Sequence, residues 1–173
     1  QLEMQSTEES KESITRVPDE AIVVVFDKSS SMNSPFVNER EYTRVNATKQ
    51  FFENFSDRTV GFDYHHVLSL LLFSSSTTKV CNFTENLSAF ASYVHTTAAS
   101  GSTKLWDCIV EAVEMLKELK KSYPSCILRI LCLSDGEGNG SGYSPFETAK
   151  KLIDELVIMD CVVVGELSSS LKG

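Results

Sequence analysis

The sequence has no long hydrophobic run. Of its 173 residues 42% are apolar. No stretch approaches the ~20 consecutive apolar residues that a membrane-spanning helix needs, so we expect no membrane insertion. The first residues are polar and acidic and lack the apolar segment of a secretory signal. We predict that residues 1–20 are an acidic lead-in, disordered or loosely attached, and that residues 21–173 form one domain.

Basic residues are too few and too scattered to form a basic patch. The chain has 16 Lys and Arg against 24 Asp and Glu, which gives a formal net charge of −8. Nucleic-acid binding depends on Lys and Arg displacing counterions from phosphates, so we do not expect a nucleic-acid partner. An acidic chain is compatible with a cation site, although solubility explains the overall charge more simply.

The cysteines have no C-x-x-C spacing. They are odd in number, and most lie in apolar runs: Cys81, Cys108, Cys126, Cys132 and Cys161. This pattern is typical of buried free thiols in a reducing compartment, does not suggest zinc, and predicts a cytoplasmic protein. An extracellular location stays open because N-x-S/T occurs five times, at Asn46, Asn54, Asn82, Asn86 and Asn139. Several of these matches fall in predicted strands or helices, where a glycan would not fit.

Enzyme signatures are missing as well. There is no G-x-S-x-G nucleophile elbow and no P-loop, and residues 136–142 depart from G-x-G-x-x-G because Ser141 stands where the third glycine is required. The histidines His65, His66 and His95 are predicted to be structural or solvated. A bound metal can activate water, but no general base accompanies the candidate site described below. We therefore expect no catalysis by this chain, neither metal-assisted hydrolysis nor nucleotide chemistry.

What the chain does have is an alternation of apolar strands and amphipathic helices. Strands are predicted at 21–26, 65–73, 79–83, 126–133 and 162–165. Helices are predicted at 43–55, 85–95, 105–121 and 144–159, the last opened by a Ser-Pro-x-Glu capping box. The alternation predicts an α/β fold with three layers. Its mostly parallel, doubly wound central sheet would be covered by helices on both faces.

Oxygen-bearing side chains stand where such a sheet binds ligands, beyond the carboxyl ends of its strands. Asp27, Ser29 and Ser31 follow the first strand, Asp135 follows the strand at 126–133, and Thr103 precedes the strongest helix. Taken singly these are a serine-rich turn, a turn dipeptide and a helix cap. They could converge on one hard cation if the two strands are neighbours.

Together these motifs resemble the metal-ion-dependent adhesion site of von Willebrand factor type A domains. The similar features are D-x-S-x-S after an apolar strand, a small-small-Thr before a helix, and S/T-D-G-E after a later strand. Residues 101–107, Gly-Ser-Thr-Lys-Leu-Trp-Asp, are similar to the family's Gly-Gly-Thr-x-Leu-aromatic-Asp, with Ser102 in place of the second glycine. The resemblance spans about residues 20–170 and is closest to intracellular eukaryotic members.

The resemblance implies a metal site formed by Asp27, Ser29, Ser31, Thr103 and Asp135. In it the three hydroxyls bind Mg²⁺, with Mn²⁺ or Ca²⁺ as alternatives, and the two carboxylates act largely through hydrogen bonds to those hydroxyls and to metal-bound waters. The implied function is divalent-cation-dependent binding of a protein partner that presents Asp or Glu. The alternative is a structural assembly module that does not need the metal.

The resemblance also sets expectations for neighbouring residues and for the whole protein. We expect Asp107 to be a solvated first-turn carboxylate, with bracing of the site through Thr103 as the alternative. Glu137 is expected to be solvated surface, with contact to a ligand as the alternative, and Trp106 is expected to pack in the domain. The family's usual last strand and last helix have no counterpart here, so we expect an incomplete domain that is part of a larger multidomain protein.

Overall fold

Five strands form one central sheet in the computed structural model, which describes residues 14–36, 39–60, 64–136 and 140–165. Two further strands, the second and third in chain order, form a separate pair. In chain order all the described strands are β1 (Glu20–Asp27), β2 (Pro35–Phe36), β3 (Glu39–Thr43), β4 (His66–Phe73), β5 (Thr77–Thr84), β6 (Ile127–Ser134) and β7 (Ile158–Val163). The helices are α1 (Arg44–Val60), α2 (Leu87–His95), α3 (Leu105–Ser122) and α4 (Pro145–Asp154), and a 3-10 turn (Ser30–Asn33) follows β1.

The order of strands across the sheet is β5-β4-β1-β6-β7. All neighbouring pairs are parallel except β4 and β5. The chain leaves β1 for β4 and β5 on one side and later returns to β6 on the other. Strand order therefore reverses between β1 and β6, the point at which sheets of this class bind their ligands. The predicted mostly parallel α/β sheet is confirmed.

β1 is buried along its whole length because both faces of the sheet are covered. Its odd-numbered side chains, from Ala21 to Val25, pack with α3. Its even-numbered side chains, from Ile22 to Phe26, pack with α1 and α2. Since neither face meets water, the strand is uniformly apolar from Ala21 to Phe26 rather than alternating.

α3 buries the stripe that its helical periodicity predicts. The fully or nearly fully buried members are Leu105, Cys108, Ile109, Ala112, Val113 and Leu116. Leu119 is partly buried against the same core. The basic residues of the last turn, Lys120 and Lys121, suit the negative end of the helix dipole.

The boundary between α4 and β7 differs from the prediction. We predicted a helix through residue 159 and a strand from residue 162, but α4 ends at Asp154 and β7 begins at Ile158. Leu156 has a φ of 55°, a left-handed conformation that interrupts the helix. The apolar residues of this segment continue a helical period, so the pattern alone gave no sign of the break.

One helix is longer than predicted, and one pair of strands was not predicted. α1 runs five residues beyond the predicted end at 55. The short antiparallel pair of β2 and β3 was not predicted, because the sequence of β3, EREYT, has no apolar run.

Of the predicted lead-in, residues 1–13 lie outside the described residues. Thr15 is hydrogen-bonded to Glu85 through both its backbone N–H and its hydroxyl, each at 2.7 Å.

The sequence predicts no membrane-spanning helix. Within the described ranges, no helix combines the length and the apolar character needed to cross a bilayer.

Candidate metal site

Asp27 is a fully buried carboxylate at the end of β1. Its Oδ1 accepts the backbone N–H of Ser29 at 2.8 Å, and its Oδ2 accepts the hydroxyl of Ser134 at 2.6 Å. Because β1 and β6 are parallel neighbours, Asp27 and Ser134 come to the same edge of the sheet. Burial raises the pKa of the Asp27 carboxyl. The nearby charge of Asp135 adds to that rise, and the hydrogen bonds from Ser134 and Ser29 oppose it.

Ser29 and Ser31 present two hydroxyl oxygens side by side. The 3-10 turn that begins at Ser30 folds the chain back, so that the two Oγ atoms are hydrogen-bonded to each other at 3.0 Å. Two oxygens bound to Mg²⁺ at right angles, each at about 2.1 Å, are about 3.0 Å from one another. The serine pair therefore has the spacing of two adjacent corners of a magnesium octahedron.

Thr103 lies buried in the loop that precedes α3. Backbone hydrogen bonds tie this loop to the serine loop: Ser30 N–H donates to Gly101 O at 3.0 Å, and Ser100 N–H donates to Lys28 O. The loop is also bonded to the end of β4, where Lys104 N–H donates to Ser74 O at 2.9 Å. Thr103 thus lies in a segment that is hydrogen-bonded to the residues that follow Asp27.

Asp135 follows β6 directly, and its side chain is fully buried. One of its carboxylate oxygens, Oδ2, accepts a hydrogen bond from Arg44 Nη1 at 2.9 Å. The five predicted residues therefore lie on segments that meet at one edge of the sheet, at the β1–β6 reversal point. Sequence reasoning did not anticipate that an arginine would join them.

The donor atoms suit a hard cation. Two carboxylates and three hydroxyls are all oxygen ligands, which Mg²⁺, Mn²⁺ and Ca²⁺ prefer to the nitrogen and sulfur ligands typical of zinc. No three His, Cys, Asp or Glu side chains form a metal-binding group in the described part of the chain. With only two carboxylates, the site built around Asp27 is not of that kind, and its fit rests on the hydroxyls.

Two residues that the sequence analysis did not single out belong to this edge of the sheet. Ser134 lies in the Ser-Asp-Gly motif, so its position beside Asp135 was a usable signal. Arg44 is 91 residues from Asp135 in sequence, and no sequence signal links the two residues.

Asp107 stands in the first turn of α3 and is partly exposed, as expected, but its carboxylate is also hydrogen-bonded within the protein. Its Oδ1 accepts the backbone N–H groups of Gly142 and Tyr143 at 2.7 and 3.2 Å. It therefore joins the start of α3 to the loop before α4. Trp106 is partly buried against the core, as predicted. Glu137 lies outside the described residues.

The histidines and cysteines are not among the residues of the candidate site. Each histidine contacts a glutamate: His65 with Glu85, His66 with Glu20, and His95 with Glu53. These pairs agree with the predicted structural roles. All five cysteines are free; Cys108, Cys126 and Cys132 are buried, but Cys161 is exposed, contrary to the general expectation of buried thiols.

The fold and the order of the motifs agree with a family comparison. A family model described as von Willebrand factor type A domain (VWA_2) matches residues 22–137. The chain belongs to the von Willebrand factor type A (vWA) family. The matched segment runs from β1 to the loop after Asp135 and so includes all five candidate site residues of this vWA domain.

The chain is also similar to a viral protein. The "Probable bifunctional E2/E3 enzyme R795" of Acanthamoeba polyphaga mimivirus is 25% identical over 127 residues; the match covers 71% of this chain and 10% of that protein. The chain thus spans about a tenth of the length of the curated relative that it matches.

Solved structures share the fold at low identity. The crystal structure of the SpRpn10 VWA domain has a TM-score of 0.66 at 19% identity, covering 88% of this chain and 78% of that one. An aerotolerance-related membrane protein from Bacteroides fragilis has a TM-score of 0.69 at 15% identity, covering 84% and 68%. Proximal thread matrix protein 1 from the mussel byssus has a TM-score of 0.64 at 22% identity, covering 87% and 38%. At these identities the likeness shows the fold alone.

Proposed function

We propose that this vWA domain binds a protein partner through a divalent cation. The cation, Mg²⁺ in the first instance, is held by the hydroxyls of Ser29, Ser31 and Thr103. Asp27 and Asp135 orient those hydroxyls and the metal-bound waters. The observation that carries the proposal is the 3.0 Å separation of the two serine oxygens beside the buried carboxylate of Asp27. That separation suits adjacent positions around Mg²⁺.

The partner supplies a carboxylate. Neutral hydroxyls cancel little of the charge of a dication, so the bound cation keeps a strong attraction for an external Asp or Glu. The chain has a formal net charge of −8 and repels an acidic protein at long range. Recognition of an acidic partner therefore depends on the cation, and we expect chelation to abolish it.

The domain acts as a binding part of a larger protein. Its mimivirus relative is named as an E2/E3 enzyme, and the chain corresponds to about a tenth of that protein. We propose that any such activity belongs to another part of the full-length protein, and that the vWA domain contributes the interaction. The five free thiols support a reducing compartment, and we propose the cytoplasm.

A second function is favoured by one observation. Arg44 already gives the buried Asp135 a cationic partner, so the site has an internal source of positive charge. A domain of this kind could serve as a metal-independent assembly module. The two functions differ in whether the domain binds Mg²⁺ saturably.

Calorimetric titration with Mg²⁺ and with Mn²⁺ tests the proposal. The unmutated domain is expected to bind one cation. The double variant Ser29→Ala/Ser31→Ala is expected to remain folded by circular dichroism and to bind none. Ser88→Ala/Ser92→Ala, a matched pair on the exposed face of α2, serves as the control and is expected to bind normally. Saturable binding by the site variant, or none by the unmutated domain, would overturn the proposal.

A further inference from the structure

Arg44 is held in place at the edge of the sheet by the start of α1. It is the first residue of that helix; its N–H donates to Ser34 O at 3.0 Å, and Thr48 Oγ1 donates to its carbonyl at 2.9 Å. The side chain is 16% exposed and contacts a carboxylate that is 0% exposed. The guanidinium group therefore places a positive charge beside a buried carboxylate.

Gly165, two residues beyond β7, makes room for the same guanidinium. A Cβ atom at Gly165 would lie 2.9 Å from Nε and 3.0 Å from Cζ of Arg44, closer than carbon atoms normally approach. The φ of Gly165 is 137°, which side-chain-bearing residues rarely adopt. The arginine is thus enclosed between the backbone after β7 and the carboxylate after β6.

We propose that Arg44 is a built-in competitor of the divalent cation, resting on the metal site proposed above. While Arg44 Nη1 donates to Oδ2 of Asp135, that oxygen is engaged and cannot accept a hydrogen bond from a metal-bound water with the same lone pair. The guanidinium and the dication also repel one another across a buried site. The cation therefore binds fully only when Arg44 releases Asp135.

The competition has a measurable size. If the arginine holds Asp135 in about nine of ten domains, the apparent affinity for the cation falls about tenfold, because affinity scales with the competent fraction. Removing the guanidinium should restore that factor. A merely structural arginine would leave the affinity unchanged, and one that helps to hold the cation's ligands would lower it when removed.

The test compares Mg²⁺ and Mn²⁺ affinities by calorimetry for the unmutated domain, Arg44→Met and Arg129→Met. Arg129 pairs with Glu20 at the opposite end of the strands, so the control variant loses the same charge far from the site. We expect Arg44→Met to bind about tenfold more tightly and Arg129→Met to change by less than about twofold. Arg44→Lys, which keeps the charge but loses the planar fork, is expected to fall between the two and replaces Arg44→Met if that variant does not fold.

The outcomes separate this inference from the proposed function. Tighter binding by Arg44→Met, abolished when Asp27→Ala is added, supports both. Equal or weaker binding by a folded Arg44→Met variant overturns the competitor and leaves the metal site standing. Binding by Arg44→Met alone, with none by the unmutated domain, overturns the proposed function of the unmutated domain and supports the competitor, because the site then binds a cation only when the guanidinium is removed. No saturable binding by either protein overturns both.

Discussion

The hydroxyl of Ser134 donates to Oδ2 of Asp27 at 2.6 Å, joining the carboxyl ends of the two central strands β1 and β6. The other oxygen of the same carboxylate accepts the N–H of Ser29. Asp27 therefore fixes the position of the serine loop relative to the loop that carries Asp135.

Ser134→Ala should destabilise the domain. The variant leaves a fully buried carboxylate oxygen without its hydroxyl donor, which costs about 1–3 kcal/mol. The free energy of unfolding, measured in urea without a divalent cation, checks this. Ser92→Ala removes an exposed hydroxyl that donates to Ser88 O at 3.2 Å and is expected to cost less than about 0.5 kcal/mol. Equal losses in the two variants would contradict the prediction.

Gly165→Ala should be more destabilising than Gly140→Ala. Both glycines have positive φ, 137° and 78°, so both substitutions strain the backbone. Only at Gly165 does the added methyl meet the guanidinium of Arg44, since nothing lies within 4 Å at Gly140. Thermal unfolding of both variants measures the difference. In a double-mutant cycle with Arg44→Ala we expect a coupling of about 0.5 kcal/mol or more. Additive effects would show that the close contact carries no energy.

Cys161 should be the first cysteine to react with iodoacetamide. It is exposed, and a hydrogen bond from the Cys132 thiol lowers the pKa of Cys161 to about 7, since that bond stabilises the thiolate. The two residues are register partners on β6 and β7. We expect its alkylation rate, followed by mass spectrometry, to rise with pH and reach half of its maximum near pH 7. Burial raises the pKa of Cys126 to about 11, so Cys126 should remain unmodified.

The control for that experiment is Cys132→Ala. Without the hydrogen bond from Cys132, the midpoint of Cys161 alkylation should move upward, towards the ordinary thiol pKa of about 8.5. An unchanged midpoint would show that Cys132 does not stabilise the thiolate.

Ser144→Ala should cost about 1 kcal/mol of stability by removing the cap of α4. Ser144 Oγ accepts the N–H of Glu147 at 3.2 Å, and Glu147 Oε2 accepts the N–H of Ser144 at 2.9 Å. Urea unfolding measures the loss, and Ser144→Asp, which retains an N-cap acceptor, should recover most of it. A loss in Ser144→Asp as large as that in Ser144→Ala would mean that the capping bond is not the cause.

Local patterns predicted most of the fold. The apolar run from Ala21 to Phe26 indicated a strand buried on both faces, and the stripe along α3 indicated a helix packed on the sheet. The capping box at Ser144 located the start of α4. The predicted end of α4 was wrong, because the left-handed conformation of Leu156 depends on how the chain turns into β7.

The sequence by itself determined which residue types stand at the strand ends, because these follow from composition and spacing within short segments. Asp27, Ser29 and Ser31 share one loop, and the serine pair needed only a tight turn. The tertiary structure alone decided that Arg44 meets Asp135 and that Cys132 lies beside Cys161. Such contacts join segments far apart in the chain, and they depend on strand order, register and helix placement, which only the packed core sets.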